Sequence, residues 1–178
     1  MSHHPSPSDF EARTNATYDA LMWALSRPGK IRQLPQTGQA ALIETLIDRE
    51  CAVFAEDDRL RQLASRTGAH LVMPDKADHL FLSAVPTPAF LRDVRQGSDL
   101  YPEDGATLVM PATFGTGTAL RLTGPGVDGA LDVRVGDIPS AFWAERQLVM
   151  RYPMGFEIFL LDGDQVIGLP RSTEIEVL

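Results

Sequence analysis

Two arginines and a proline held between glycines are the groups in this chain best suited to meet an anion. The run Leu120-Arg121-Leu122-Thr123-Gly124-Pro125-Gly126 reads as a strand entering a tight turn. Such a turn lets backbone amides approach a phosphate closely, although its commonest use is to reverse the chain. Arg171, in Leu169-Pro170-Arg171-Ser172-Thr173, sits just past a strand end. It suits a phosphate or a surface carboxylate, and the carboxylate is the commoner partner. The candidate substrate or interface residues are therefore Arg121, Thr123, Gly124, Gly126 and Arg171. None of them is a base near neutral pH, so no catalytic residue is assigned.

Other chemistries lack their residues. No G-x-x-x-x-G-K-[ST] phosphate cradle occurs, and Gly115-Thr116-Gly117 has Leu120 where a dinucleotide fingerprint needs its third glycine. That segment reads as a glycine-rich turn. His70 and His79 do not have zinc-ligand spacing, no G-x-S-x-G elbow is present, and His3 and His4 fall in a polar leader. The only lysines, Lys30 and Lys76, lie in a turn and a polar loop, poor places for a pyridoxal Schiff base. The lone Cys51 opens an apolar run and reads as a core residue. No metal or cofactor is expected.

The net charge of −8 argues against a surface that follows a nucleic-acid backbone. No run approaches the ~18 apolar residues that cross a membrane. One thiol and no signal-peptide pattern fit a reducing cytoplasm. At 178 residues one domain is expected, over 9–178 behind a flexible leader at 1–8.

The elements that must carry these residues follow from periodicity and caps. Ser8 and Glu11 form a capping-box pattern ahead of a helix from Asp9 to Ser26. Phe10, Thr14, Tyr18, Leu21, Met22 and Leu25 make its apolar face, and Arg27-Pro28-Gly29 ends it. A second helix is predicted at about 37–49, a buried strand at 51–55, and a short helix capped by Asp57 and closed by Gly68. Strand-like runs follow at 69–73 and 79–84, then a helix opened by Thr87-Pro88 and ended by Gly97. Strands at 107–110, 118–123 and 131–135 precede a helix after Asp137-Ile138-Pro139. The apolar run 156–161 reads as a strand covered on both faces, followed by a tight turn, a strand at 165–169 and an edge strand at 174–177. Helices interleaved with strands predict a three-layer α/β domain with a mixed sheet. Phe142, Trp143 and Tyr152 suit an interface or a core.

Five stretches in register resemble the PhnH family of bacterial phosphonate metabolism. They are Ser26-Arg27-Pro28-Gly29, the segment from Asp104-Gly105-Ala106-Thr107 to Pro111, the Leu120 to Gly126 run, Pro153-Met154-Gly155-Phe156-Glu157-Ile158, and Leu169-Pro170-Arg171-Ser172-Thr173. Between about 36 and 95 the likeness is one of helix–strand rhythm. The resemblance implies a subunit of the carbon–phosphorus lyase system that partners PhnG, PhnI and PhnJ-type subunits and is inactive alone. With an ATP-binding-cassette-like protein, such subunits attach a phosphonate to the ribose of ATP, giving ribose 1-phosphonate 5-triphosphate. It also implies a fold similar to the large domain of pyridoxal-phosphate-dependent transferases, without the cofactor, and a homodimer when isolated. With one cysteine, the chain is not the iron–sulfur subunit that later cleaves the carbon–phosphorus bond. Two other readings stay open: a non-catalytic scaffold module, and a small enzyme that binds a phosphorylated ligand at Arg121, Arg171 and the 123–126 turn.

Overall fold

The computed structural model describes residues 6–178, so His3, His4 and most of the leader lie outside the described residues. The first helix, α1 (Asp9–Ser26), starts where its capping box dictates. The Glu11 amide donates to Ser8 Oγ at 3.2 Å, and the Ser8 amide donates to Glu11 Oε2 at 2.7 Å. The Ser8 amide and the Ser8 hydroxyl, both donating to Glu11 Oε2, hold the Glu11 carboxyl below the usual carboxylate range.

The buried face of α1 is the predicted one only in part: Leu21 is buried and Leu25 packs against the core. Thr17, Ala20, Leu21 and Ala24 point inward, while Phe10, Tyr18 and Met22 are exposed. Small residues face in because the helix lies almost against a strand. A Cβ on Gly168 would stand 2.7 Å from the Ala24 carbonyl carbon and the Leu25 nitrogen. Larger side chains on that face would force the helix off the sheet.

Seven strands form a mixed sheet: β1 (Arg32–Gln33), β2 (Ala52–Ala55), β3 (His70–Leu71), β4 (His79–Phe81), β5 (Thr107–Pro111), β8 (Glu157–Asp162) and β9 (Gln165–Leu169). Their order is β1-β9-β8-β5-β4-β2-β3. Strands β3, β2, β4, β5 and β8 are parallel, and β9 returns antiparallel beside β8 through the turn at Gly163. Strict alternation sends neighbouring side chains to opposite faces. Val53, Phe81, Val109, Phe159 and Val166 pack under α1, α2 (Ala40–Leu46) and α3 (Asp58–Arg66). Leu80, Leu108, Met110, Ile158, Leu160 and Ile167 enter a second core on the other face. The run from Ile158 to Leu161 is thus buried on both sides, as the almost solidly apolar stretch predicts, with Glu157 half-buried at its start.

That second core is roofed by an element the sequence did not separate. Strands β6 (Thr113–Thr123), β7 (Leu131–Gly136) and β10 (Glu174–Val177) make their own antiparallel sheet, ordered β10-β6-β7. Leu120, Leu122, Val135 and Ile175 project from it toward the larger sheet, beside α4 (Ser140–Val149). The Gly115-Thr116-Gly117 segment is a register shift inside β6, not a turn between strands. The helix expected at 87–97 is a short 3-10 turn, Pro88–Arg92, which inserts Leu91 into the core. The strand expected at 69–73 pairs only at His70–Leu71. Phe142 and Trp143 belong to the core at 0% and 1% exposure, edge to face with centroids 5.2 Å apart. They are not interface residues; Tyr152 stays exposed.

Among the described residues no group of three or more His, Cys, Asp or Glu is placed to hold a metal, and no helix is long and apolar enough to cross a membrane. Burial pushes the Cys51 thiol up and the His79 imidazolium down, as desolvation does to each charged form.

Candidate functional site

The stretches singled out in the sequence meet at one junction. Strand β6 alternates, so Leu120 and Leu122 are buried while Arg121 faces out. Its two neighbouring strands place Asp132 and Glu176 opposite Arg121. The Arg121 guanidinium donates from Nε and Nη2 to the Asp132 carboxylate, each at 2.8 Å. The Asp132 carboxyl is held low by those bonds. Thr123 ends the strand, its hydroxyl 3.4 Å from Glu174 Oε2.

The Thr123-Gly124-Pro125-Gly126 turn is closed by the Val127 amide donating to the Gly124 carbonyl at 3.1 Å. Gly126 has φ +83°, a conformation that side-chain-bearing residues rarely adopt. A Cβ there would collide with the Ser26 carbonyl oxygen and stand 2.9 Å from Pro28 Cδ. One at Gly124 would stand 2.7 Å from the Ser172 carbonyl oxygen. The 123–126 turn therefore wedges between the end of α1 and the 170–173 turn. The Gly29 amide completes the contact by donating to the Gly168 carbonyl at 3.4 Å.

Arg171 serves as a clamp, neither a free phosphate ligand nor a surface pair. Its Nε donates to Glu157 Oε1 at 2.5 Å, its backbone amide to Glu157 Oε2 at 2.6 Å, and Nη1 to the Pro102 carbonyl. The pair is mostly buried, with side-chain exposures of 15% and 19%. Gly105 and Gly155 leave room for it: Cβ atoms there would stand 3.0 Å from Nη1 and 3.1 Å from Arg171 Cβ. All five sequence stretches thus converge on adjoining contacts.

The residue missed by the sequence reading is Arg146. It follows Phe142 by four positions and Trp143 by three, so it shares their buried face and is 2% exposed. Nη1 and Nη2 donate to the Thr173 and Pro170 carbonyls, both at 3.1 Å, while Nε has no partner. Among the described residues no carboxylate lies within ion-pair distance of it. Burial lowers its pKa to about 10, with the Glu157 charge opposing, so it remains a cation at neutral pH. Its position on an apolar helix face was the available signal. Above it opens a groove of about 750 Å³, walled by Arg121, Thr123, Tyr152, Ser172 and Glu174 among others. Arg121, Thr123 and Arg171 line it, whereas Gly124 and Gly126 shape its wall from behind.

Residues 7–176 match the family described as "Bacterial phosphonate metabolism protein (PhnH)". The chain is 34% identical over 179 residues to "Putative C-P lyase subunit protein HtxG" of Stutzerimonas stutzeri, covering 93% of this chain and 87% of the relative. It is 26% identical over 189 residues to "Alpha-D-ribose 1-methylphosphonate 5-triphosphate synthase subunit PhnH" of Rhizobium meliloti (strain 1021), covering 94% and 91%. The chain belongs to the PhnH family, and with that to bacterial phosphonate metabolism.

Because Arg171 holds a mostly buried carboxylate, Arg171→Ala is expected to destabilise the fold. Removing one partner of a fully buried pair costs about 3–5 kcal/mol, and partial exposure reduces this to roughly 2–3 kcal/mol. Arg171→Lys keeps the charge without the fork and should fall between. Urea denaturation checks both; a loss under about 0.5 kcal/mol for Arg171→Ala, the range of ordinary surface substitutions, would show that the pair is not a clamp.

Proposed function

We propose that this chain is a subunit of the carbon–phosphorus lyase system for phosphonate catabolism. In this reading it contributes to forming ribose 1-phosphonate 5-triphosphate from ATP and a phosphonate, with PhnG, PhnI and PhnJ-type partners in the cytoplasm. The observation that carries it is the family match over nearly the whole chain. The printed names of the two relatives, a C-P lyase subunit and a triphosphate synthase subunit, support it.

Residues 9–178 act as one domain, with an architecture akin to the large domain of pyridoxal-phosphate transferases and no cofactor of its own. The exposed lysines Lys30 and Lys76 lie away from the groove and offer no Schiff base in it. Purified alone, the chain forms a homodimer. The free edge at β3 supports this, because His70 and Leu71 are exposed there and Met73 beside them is 67% exposed.

The groove and the 123–126 turn form the surface that meets partner or substrate. A supporting scaffold role is the second reading. It is favoured by the pairing of Arg121 and Arg171 with carboxylates and by a groove that contains no histidine or lysine.

Deleting the chain from a phosphonate-using host should abolish growth on a phosphonate as sole phosphorus source, and the wild-type chain should restore it. Gly126→Val strains a positive-φ position, at about 1–3 kcal/mol, and pushes the turn off the end of α1. It should remain folded by circular dichroism but lose co-purification with partner subunits and restore growth poorly. Full growth after deletion would overturn the function; normal pull-down and growth for Gly126→Val would overturn the assignment of the turn.

A further inference from the structure

We propose that the groove over Arg146 binds a phosphoryl or phosphonyl oxyanion, with the Arg146 guanidinium as its buried counter-charge and the Thr173 hydroxyl as a second donor. This deepens the reading above and rests on it for the identity of the anion. The geometry singles out Arg146 by elimination. Arg121 is met by Asp132 on one side and Glu176 on the other. Arg171 is met by Glu157. Arg146 alone among the groove's arginines has only neutral carbonyl partners, and its Nε has none.

A buried cation without a counter-ion is costly, because its lost hydration is not replaced by an opposite charge. Thr173 gives an independent sign: it is 2% exposed, and its Oγ1 also lacks a partner. Both residues line the same groove, one from α4 and one from the turn that α4 pins. Two buried donors without partners, on residues that both line a cavity of about 750 Å³, fit the size and polarity of small-ligand sites. The exposed Glu174 and Glu176 both stand on the wall, and the Glu174 carboxylate meets the Thr123 hydroxyl. Their charges disfavour an anion beside them and leave the Arg146 end of the groove as the attractive one.

The test uses the full chain without partners. Calorimetric titration with tripolyphosphate, with methylphosphonate, and with acetate at matched ionic strength separates a triphosphate arm, a phosphonate arm and a non-specific salt effect. Saturable binding of tripolyphosphate or methylphosphonate, but not acetate, is expected. Which of the two binds more tightly identifies the arm of the substrate that the groove receives. Arg146→Met should weaken that binding by at least about tenfold, the loss of one charge-assisted hydrogen bond. Thr173→Val leaves no hydrogen bond of the fold unmade; it should keep the thermal midpoint and weaken binding about fivefold.

Equal responses to all three anions, no saturable binding, or unchanged affinity in a folded Thr173→Val would overturn the proposal. These outcomes are independent of the growth assay. Absent binding with growth restored sinks the anion site alone, whereas binding without a growth defect on deletion sinks the phosphonate role alone.

Discussion

Two arginines hold the 170–173 turn, and the arrangement of the molecule depends on that grip. The turn is where the chain leaves the large sheet at Leu169 and enters the small one at Glu174. Arg171 anchors it to the first residue of β8 through Glu157, and Arg146 anchors it to α4 through two carbonyls. With the turn fixed, β10 is laid beside β6 and the three-stranded sheet closes over the second core. The groove is what remains between the turn, the end of α4 and the face of β6.

The remaining stretches act by absence of side chains as much as by their presence. The turn after β6 reaches the end of α1 only because Gly126 has no Cβ, and α1 reaches β9 only because Gly168 has none. Close backbone contacts of this kind tolerate no intermediate packing, since interiors are as dense as organic crystals. This gives a physical reason for five short motifs, scattered from Ser26 to Thr173, to occur together: each contributes one face of a single junction. The same junction concentrates arginine in a chain whose net charge is −8. Two of those arginines are matched by carboxylates, which leaves Arg146 as the one whose charge has no ion-pair partner among the described residues.

Elements set by local chemistry were legible in the sequence. The capping box at Ser8 and the Asp57 cap of α3 both mark true helix starts, and the doubly covered β8 and the edge strand β10 follow from their apolar patterns. What was not legible depended on distant partners. Periodicity placed Phe10, Tyr18 and Met22 inside, yet α1 turns its small residues inward because Gly168 waits some 140 positions later. The division into two sheets is invisible locally, because strands of either sheet alternate in the same way. Arg171 was recognised as important, but its partner Glu157 could not be told from a phosphate. Arg146 does not stand out in the sequence, because arginine is almost never fully buried unless paired.

The central claim is that this junction, and not the free edges of the large sheet, is the working surface of the subunit. Amide hydrogen exchange, compared between the chain alone and the chain within its co-purified assembly, tests that directly. The account predicts new protection at 121–127 and 171–176, around the groove. Protection confined to β1 and β3, with the groove exchanging as before, would contradict it.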